Sequence, residues 1–509
     1  MDLNPGISDF EKTYDAGRAQ VVWTTLVGDL DTPVSAYMKL VGADSLGFLM
    51  ESVEGGANRG RYSFVGCRPD IVWRAVGDHA DINRNALNDS NAFEPCPVAA
   101  SEGTLKSLRA LMAESRIDMS SASHGVLPPM AAGLIGYLSY DSVRLVENIP
   151  DANPDVLGVP DGVFLRPTVI AIFDNASDIV FVVTPVYPSD DTTAAQAFED
   201  AQARLSRTVS DFESALPPQP VHDEALDLPE PVSNMTKSAF YEMVEKAKEY
   251  ILAGDIFQVV LSQRFKLPFS LPPFAFYRSL RRVNPSPFLF YLNFGDFQVA
   301  GSSPEILVRL RGGTVTIRPI AGTRPRGATP SEDKALEEEL LADPKERAEH
   351  LMLLDLGRND VGRVAEIGSV KVTDSYIIER YSHVMHIVSN VEGRIAAGKD
   401  AIDALYAGFP AGTTSGAPKV RAMEIIDELE PEKRGVYAGC IGYFGADGEM
   451  DTCIALRTAV IKDGWLYAQA GGGVVADSTP EGEYQESCNK AKALIRAAEE
   501  AVRYARRNN

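Results

Sequence analysis

The sequence predicts an α+β protein, mixed α/β in content, whose strands pair mainly antiparallel. Past residue 256, segments 257–265, 288–294, 297–301, 306–310, 315–319, 440–444, 452–461 and 465–470 alternate or run apolar between turn residues, as antiparallel strands do. Helices interrupt them. Phe240, Val244, Ala247 and Ile251 recur at helical spacing across 236–253, and Gly254 closes that segment. No fixed-period repeat runs through the chain, which argues against a solenoid or a propeller.

In chain order, the first half offers strands at 131–140, 169–173 and 179–183, then a helix over 193–216. Residues 216–231 are crowded with proline and acidic side chains, which cannot continue a helix and bury little surface. This predicts an N-terminal domain over 1–215, a linker over 216–232 and a second domain over 233–509.

Composition narrows the partners. A formal net charge of −22 over 509 residues argues against a nucleic-acid or anionic-membrane surface, so an anionic ligand must meet a local positive site. The five cysteines, Cys67, Cys96, Cys440, Cys453 and Cys488, are scattered without metal-type spacing, as reduced thiols in a cytoplasmic protein would be. Met1-Asp2-Leu3-Asn4-Pro5 lacks a basic start, and no apolar run approaches the roughly 20 residues that span a bilayer. A soluble, cytoplasmic protein is expected.

Two helix starts share one grammar. Asp343-Pro344 and Thr479-Pro480 each place a capping residue before a proline at the first helical position. Each is followed by glutamates spaced i, i+3: Glu346 with Glu349, and Glu483 with Glu486. Two such faces turned together would make an oxygen-rich cage for a hard cation, Mg²⁺ being the expected guest. Taken singly, each pair also reads as the acidic first turn that a helix dipole favours. Nucleotide loops are missing, since Gly416-Ala417-Pro418-Lys419 and Gly471-Gly472-Gly473 fit neither phosphate-binding pattern. Gly439-Cys440-Ile441-Gly442 lacks the spacing of a nucleophile elbow and reads as a buried strand.

Seven strings then occur in order: 284–287 (NPSP), 301–305 (GSSPE), 319–327 (PIAGTRPRG), 350–355 (HLMLLD), 412–419 (GTTSGAPK), 451–457 (DTCIALR) and 469–475 (QAGGGVV). Together they resemble the chorismate-utilising enzymes, and in detail the anthranilate synthase component I branch of that family. The resemblance implies antiparallel sheets stacked as a sandwich with helices packed outside. It implies conversion of chorismate and ammonia to anthranilate and pyruvate, the first step of tryptophan biosynthesis. Mg²⁺ would sit on Glu349 and Glu486, with Glu346 and Glu483 nearby, and grip the ring carboxylate. Arg457, Tyr437 and a turn at Gly471, Gly472 and Gly473 would hold the other carboxylate, and Gly322 and Thr323 would line the pocket.

The same resemblance gives three residues catalytic parts. Glu305 would protonate the departing hydroxyl, which requires a raised pKa; His386 would remove a proton as a neutral imidazole; Thr413 would add a hydroxyl. His383 and His386 cannot pair on a metal, because in a strand they point to opposite faces. Family members that add water carry a lysine base where this chain has Gln258, and aminodeoxychorismate synthases carry a nucleophilic lysine where it has Ala321. Lysine at neither position favours amination over the isochorismate, salicylate and aminodeoxychorismate branches; a non-catalytic tryptophan sensor is the rival from another class. Ammonia is expected from a separate glutamine amidotransferase subunit, component II. A feedback site for L-tryptophan is expected at Glu51, Ser52, Pro287, Phe288, Leu289 and Tyr443, with Arg61 beside it.

Overall fold

The computed structural model describes residues 1–42, 45–54, 58–119, 127–218, 228–381 and 384–507. Among them, the strands join one hydrogen-bonded network in which every paired ladder is antiparallel. Two long strands, Asn58–Val76 and Gly162–Asp174, give this network its layers. They pair along their lengths and share an irregularity between Pro69 and Ile71, opposite Pro167.

Period-two alternation shows what the bend does. Val65, Cys67, Val169, Ala171 and Phe173 turn to one helix-covered core, whereas Ile71, Trp73, Ala75 and Phe164 turn to a second. Between them Val72, Val163, Leu165, Ile170 and Ile172 join a third core together with Phe48, Ile135, Phe290, Val299, Ile441 and Val460, all from strands. The result is two sheets face to face with helices on the outer surfaces. The expected sandwich is therefore the fold.

Strands from either side of the Pro-rich segment interleave: Gly47–Glu54 pairs with Phe288–Asn293, and Gly133–Leu138 pairs with Cys440–Gly445. The middle of that segment, 219–227, lies outside the described residues, as does His383.

Several elements follow local chemistry closely. The helix Lys237–Ala253 is capped by the Thr236 side chain and ends at Gly254 with φ 86°, where a left-handed backbone favours glycine. Helices begin at Pro344 and Pro480. Asp343 accepts from the amides of Lys345 and Glu346, and Thr479 from that of Gly482. The helix expected over 193–216 runs Ala194–Glu213.

Two strand readings change. The segment 452–461 is two strands, Met450–Ile454 and Thr458–Lys462, because Arg457 between them adopts φ 48°. The strand 465–470 extends to Val474, so Gly471, Gly472 and Gly473 lie inside it and form no turn. They pair with Ser262, Leu261 and Val260 of the strand Gln258–Pro268.

Candidate active site

Segments distant in sequence wall one cavity of about 550 Å³. The strand Gln258–Pro268 contributes Gln258 and Val260, and the bend before Ile306 contributes Pro304 and Glu305. Gly322 and Thr323 come from the strand Ile320–Pro325, and Thr413 and Thr414 from a 3₁₀ turn at Gly412–Thr414. Tyr437, Arg457, Gly471 and Gly473 complete one side. The first two turns of the two proline-started helices add Glu346, Glu349, Glu483 and Glu486, so both glutamate pairs reach the same space. Gly472 is not on the wall. It faces Glu483, where an added Cβ would stand 2.4 Å from Oε2.

The four carboxylates are not equivalent. Glu346 pairs with Arg324 at 3.1 Å and Glu486 with Lys490 at 2.7 Å. Glu483 is buried; its Oε1 accepts from Ser478 at 2.7 Å, and its Oε2 has no protein partner. Burial raises the pKa of Glu349, with the charges of Glu346 and Glu486 adding to it; burial followed by Glu486 does the same to Glu483. An orphaned buried carboxylate oxygen beside like charges suits a cation that would satisfy the one and screen the others. The donor set fits Mg²⁺ chemically, being all oxygen. Among the described residues, however, no three such side chains already stand at ligating distance.

Positive charge comes from Arg457. Its guanidinium has no carboxylate partner among the described residues, and burial lowers its pKa. A left-handed, non-glycine backbone at φ 48° carries a strain cost of about 1–3 kcal/mol, which the surrounding structure maintains to aim this side chain. Lys345 and Lys490 also line the cavity, and Lys490 donates to the Gly471 carbonyl at 2.9 Å. Sequence reasoning passed over Lys490, although its i+4 spacing from Glu486 was visible.

Two groups can handle protons. Glu305 is 7% exposed, and burial lifts its pKa to about 8, against the opposing pull of a hydrogen bond from Thr413 Oγ1 at 3.3 Å. At neutral pH it is an acid with a proton to give. His386 stands behind the wall, its Nδ1 3.0 Å from both the Gly322 carbonyl and Thr323 Oγ1. A carbonyl only accepts, so Nδ1 carries the hydrogen and the lone pair lies on Nε2. Burial lowers the His386 pKa and keeps the ring neutral. Gly322, at φ 70°, lets the backbone turn its carbonyl to that histidine.

Gln258 is 4% exposed, and its Oε1 is buried without a partner. An amide there can accept a hydrogen bond from an N–H group but cannot take a proton from water.

The residues expected to enclose tryptophan divide between two faces of a sheet. Glu51 and Leu289 stand opposite one another and turn toward the helix Pro273–Val283, where Arg281 and Tyr277 hold the Glu51 carboxylate at 2.8 and 2.6 Å. Phe288 and Tyr443 turn to the inner core instead, and the Tyr443 hydroxyl accepts from Arg311 at 3.2 Å. Ser52 and Pro287 are half-buried. Arg61, itself exposed, pairs with the buried carboxylate of Asp174. Arg281 and Tyr277 were not singled out in the sequence; their i, i+4 spacing on one helix is the signal that could have found them.

Comparison with known proteins agrees with this geometry. Residues 77–496 match the chorismate binding enzyme family. The chain is 60% identical over 499 residues to anthranilate synthase component 1 of Cereibacter sphaeroides, covering 98% of each chain. The crystal structure of anthranilate synthase component I from Streptococcus pneumoniae superposes with a TM-score of 0.72 at 38% identity, covering 92% of this chain and 98% of that one. A menaquinone-specific isochorismate synthase from Escherichia coli shares the fold, with a TM-score of 0.70 at 20% identity over 94% of each chain. The chain is an enzyme of the chorismate-binding family, and within that family it belongs with the anthranilate synthase component 1 proteins.

Proposed function

We propose that this enzyme converts chorismate and ammonia to anthranilate and pyruvate in a Mg²⁺-dependent reaction, with ammonia supplied by a glutamine amidotransferase subunit and with L-tryptophan as feedback inhibitor. The observation that carries the reading is the placement of Glu305, a buried carboxyl bonded by Thr413 on the wall of a cavity otherwise rich in charge, where burial pushes its pKa up to about 8.

Chorismate brings two carboxylates into a chain of net charge −22. Arg457 would take the enolpyruvyl carboxylate through a bidentate pair. Glu349, Glu483 and Glu486 would hold Mg²⁺, which when bound supplies the positive charge that the ring carboxylate needs. Ammonia adds at C2 through its lone pair, both ring double bonds shift toward C4 and the C4–O bond breaks; Glu305 gives the leaving hydroxyl its proton so that water departs, and the new ammonium nitrogen gives up one proton to solvent. In the second stage His386, neutral with its lone pair on Nε2, takes the C2 proton. The C–H electrons close the aromatic ring, the C3–O bond breaks and the enolpyruvyl group leaves, to become pyruvate.

Gln258 and Ala321 favour ammonia as the nucleophile, since neither can activate water or attack the ring. The test is the chain incubated with chorismate, MgCl₂ and ammonium, with products separated and identified. Fluorescent anthranilate and equimolar pyruvate are expected. Accumulation of isochorismate or aminodeoxychorismate alone would overturn the reading.

A further inference from the structure

We infer that Arg434 and Glu430 are positioning residues: a buried ion pair that fixes the cavity wall around the acid Glu305. The inference rests on the proposed part of Glu305. Arg434 is 2% and Glu430 4% exposed, and they meet in a two-pronged pair at 2.9 and 2.6 Å. The guanidinium also reaches two wall segments. Nη1 donates to the Thr414 carbonyl at 2.7 Å and Nη2 to the Val260 carbonyl at 2.6 Å. Glu430 Oε1 accepts from the amide and the hydroxyl of Ser262, both at 2.8 Å. The guanidinium further lies 4.7 Å from the Tyr140 ring and 5.6 Å from that of Tyr437.

Val260, Thr414 and Tyr437 all line the cavity, and Thr413, one residue before Thr414, bonds Glu305. One planar cation therefore ties the Gln258–Pro268 strand to the Gly412–Thr414 turn that sets the hydroxyl on Glu305. Stability alone does not call for charge here, because buried ion pairs are commonly replaced by apolar groups of similar volume without loss. Four directed bonds from one rigid group do supply position, and lysine cannot reproduce them.

The test compares Arg434→Lys, the single Arg434→Met and the double variant Glu430→Gln/Arg434→Met, each measured for kcat, for KM of chorismate and by thermal melting. Arg434→Lys is expected to lower kcat about tenfold or more, because small misplacements of reacting groups cost that much, and to leave KM nearly unchanged. The double variant removes both charges, so it is expected to melt above the single Arg434→Met while its kcat stays low. Parental kcat in Arg434→Lys, or a kcat that recovers with the melting temperature in the double variant, would overturn the inference. A parent enzyme that makes no anthranilate would instead overturn the proposed function.

Discussion

The hydroxyl of Thr413 donates to Oε1 of Glu305 at 3.3 Å, and it is the side-chain contact that works against burial in setting how tightly Glu305 keeps its proton. Burial raises the pKa to about 8, and the Thr413 bond favours the carboxylate and so lowers it. The protonated form is the acid, so kcat holds below about pH 8 and falls as pH rises through that value. Thr413→Val removes the lowering influence and shifts the alkaline limb to higher pH. Glu305→Gln removes the acid, lowers kcat by roughly 10²–10⁴-fold below about pH 8 and abolishes the alkaline limb, so its deficit against the parent narrows above that pH. Rate profiles from pH 6 to 9.5 measure both.

The same carboxyl leaves a mark on stability. Its folded-state pKa of about 8 is raised above the value of about 4.3 for an unfolded glutamate. Its favourable contribution is therefore complete below the unfolded value and is lost as pH rises through the folded one. Glutamine does not titrate, so Glu305→Gln melts progressively higher relative to the parent as pH rises from 5 to 8.5. Paired melting curves across that range read the difference directly.

Cation binding has its own probe at Gly472, which faces Glu483 without lining the cavity. A Cβ there would stand 2.4 Å from Glu483 Oε2, the carboxylate oxygen left without a protein partner. Gly472→Ala displaces that carboxylate and is expected to weaken Mg²⁺ binding about tenfold or more, within the 10–100-fold range typical of disturbed metal surroundings. Calorimetric titration with MgCl₂ measures it without reference to turnover. Chelation of the parent enzyme with EDTA is expected to abolish anthranilate formation, and MgCl₂ to restore it.

How much of this was legible beforehand depends on the range of the physics involved. Helix starts at Pro344 and Pro480 follow from capping chemistry within four residues, and they fall where the sequence puts them. The convergence of Glu349 and Glu486 on one cavity was readable only through the resemblance, because nothing within either segment says that the two helices meet. Local patterning misled at Gly471–Gly473, where three glycines suggest a turn. They continue a strand paired with Ser262, Leu261 and Val260, and they are glycines because a Cβ would crowd a neighbour: the Leu261 carbonyl at 2.4 Å from Gly471, Glu483 Oε2 at 2.4 Å from Gly472 and Gln258 Nε2 at 2.5 Å from Gly473. Arg457 shows the converse, a residue between Leu456 and Thr458 inside an expected strand, whose φ of 48° breaks it where the side chain reaches the cavity. The face occupied by Glu51 depends on strand register across more than 200 residues, which alternation alone does not fix.

Glu51 supplies a prediction that separates packing from regulation. Its side chain is 5% exposed, and Arg281 and Tyr277 take both carboxylate oxygens. Arg281→Met leaves a buried carboxylate without its cation, which costs about 3–5 kcal/mol. Thermal melting detects that loss. Ser52→Ala, on the neighbouring half-buried residue, leaves the ion pair intact and should melt as the parent does. If tryptophan is held at this end of the strand, Ser52→Ala raises the tryptophan concentration for half-inhibition several-fold at unchanged kcat.

His386 allows a prediction whose sign is fixed by geometry. The Gly322 carbonyl accepts the Nδ1 hydrogen, so the lone pair lies on Nε2, and in the proposed reaction the active form is the neutral ring. Protonation on lowering the pH removes that lone pair. Burial lowers the His386 pKa below the ordinary value of about 6.5, with the positive charge of Arg457 pulling the same way and the Gly322 bond opposing them. The acidic limb of kcat is therefore expected below pH 6.5, and neutral activity survives mild acidification. Thr323→Val leaves the carbonyl bond in place and should keep that limb while disturbing substrate contact, raising KM more than it lowers kcat. His386→Gln keeps a polar group without a usable base, so the acidic limb disappears together with most of kcat. Measurement of kcat from pH 5 to 8 in the three proteins distinguishes a base that titrates from a histidine that only fills space.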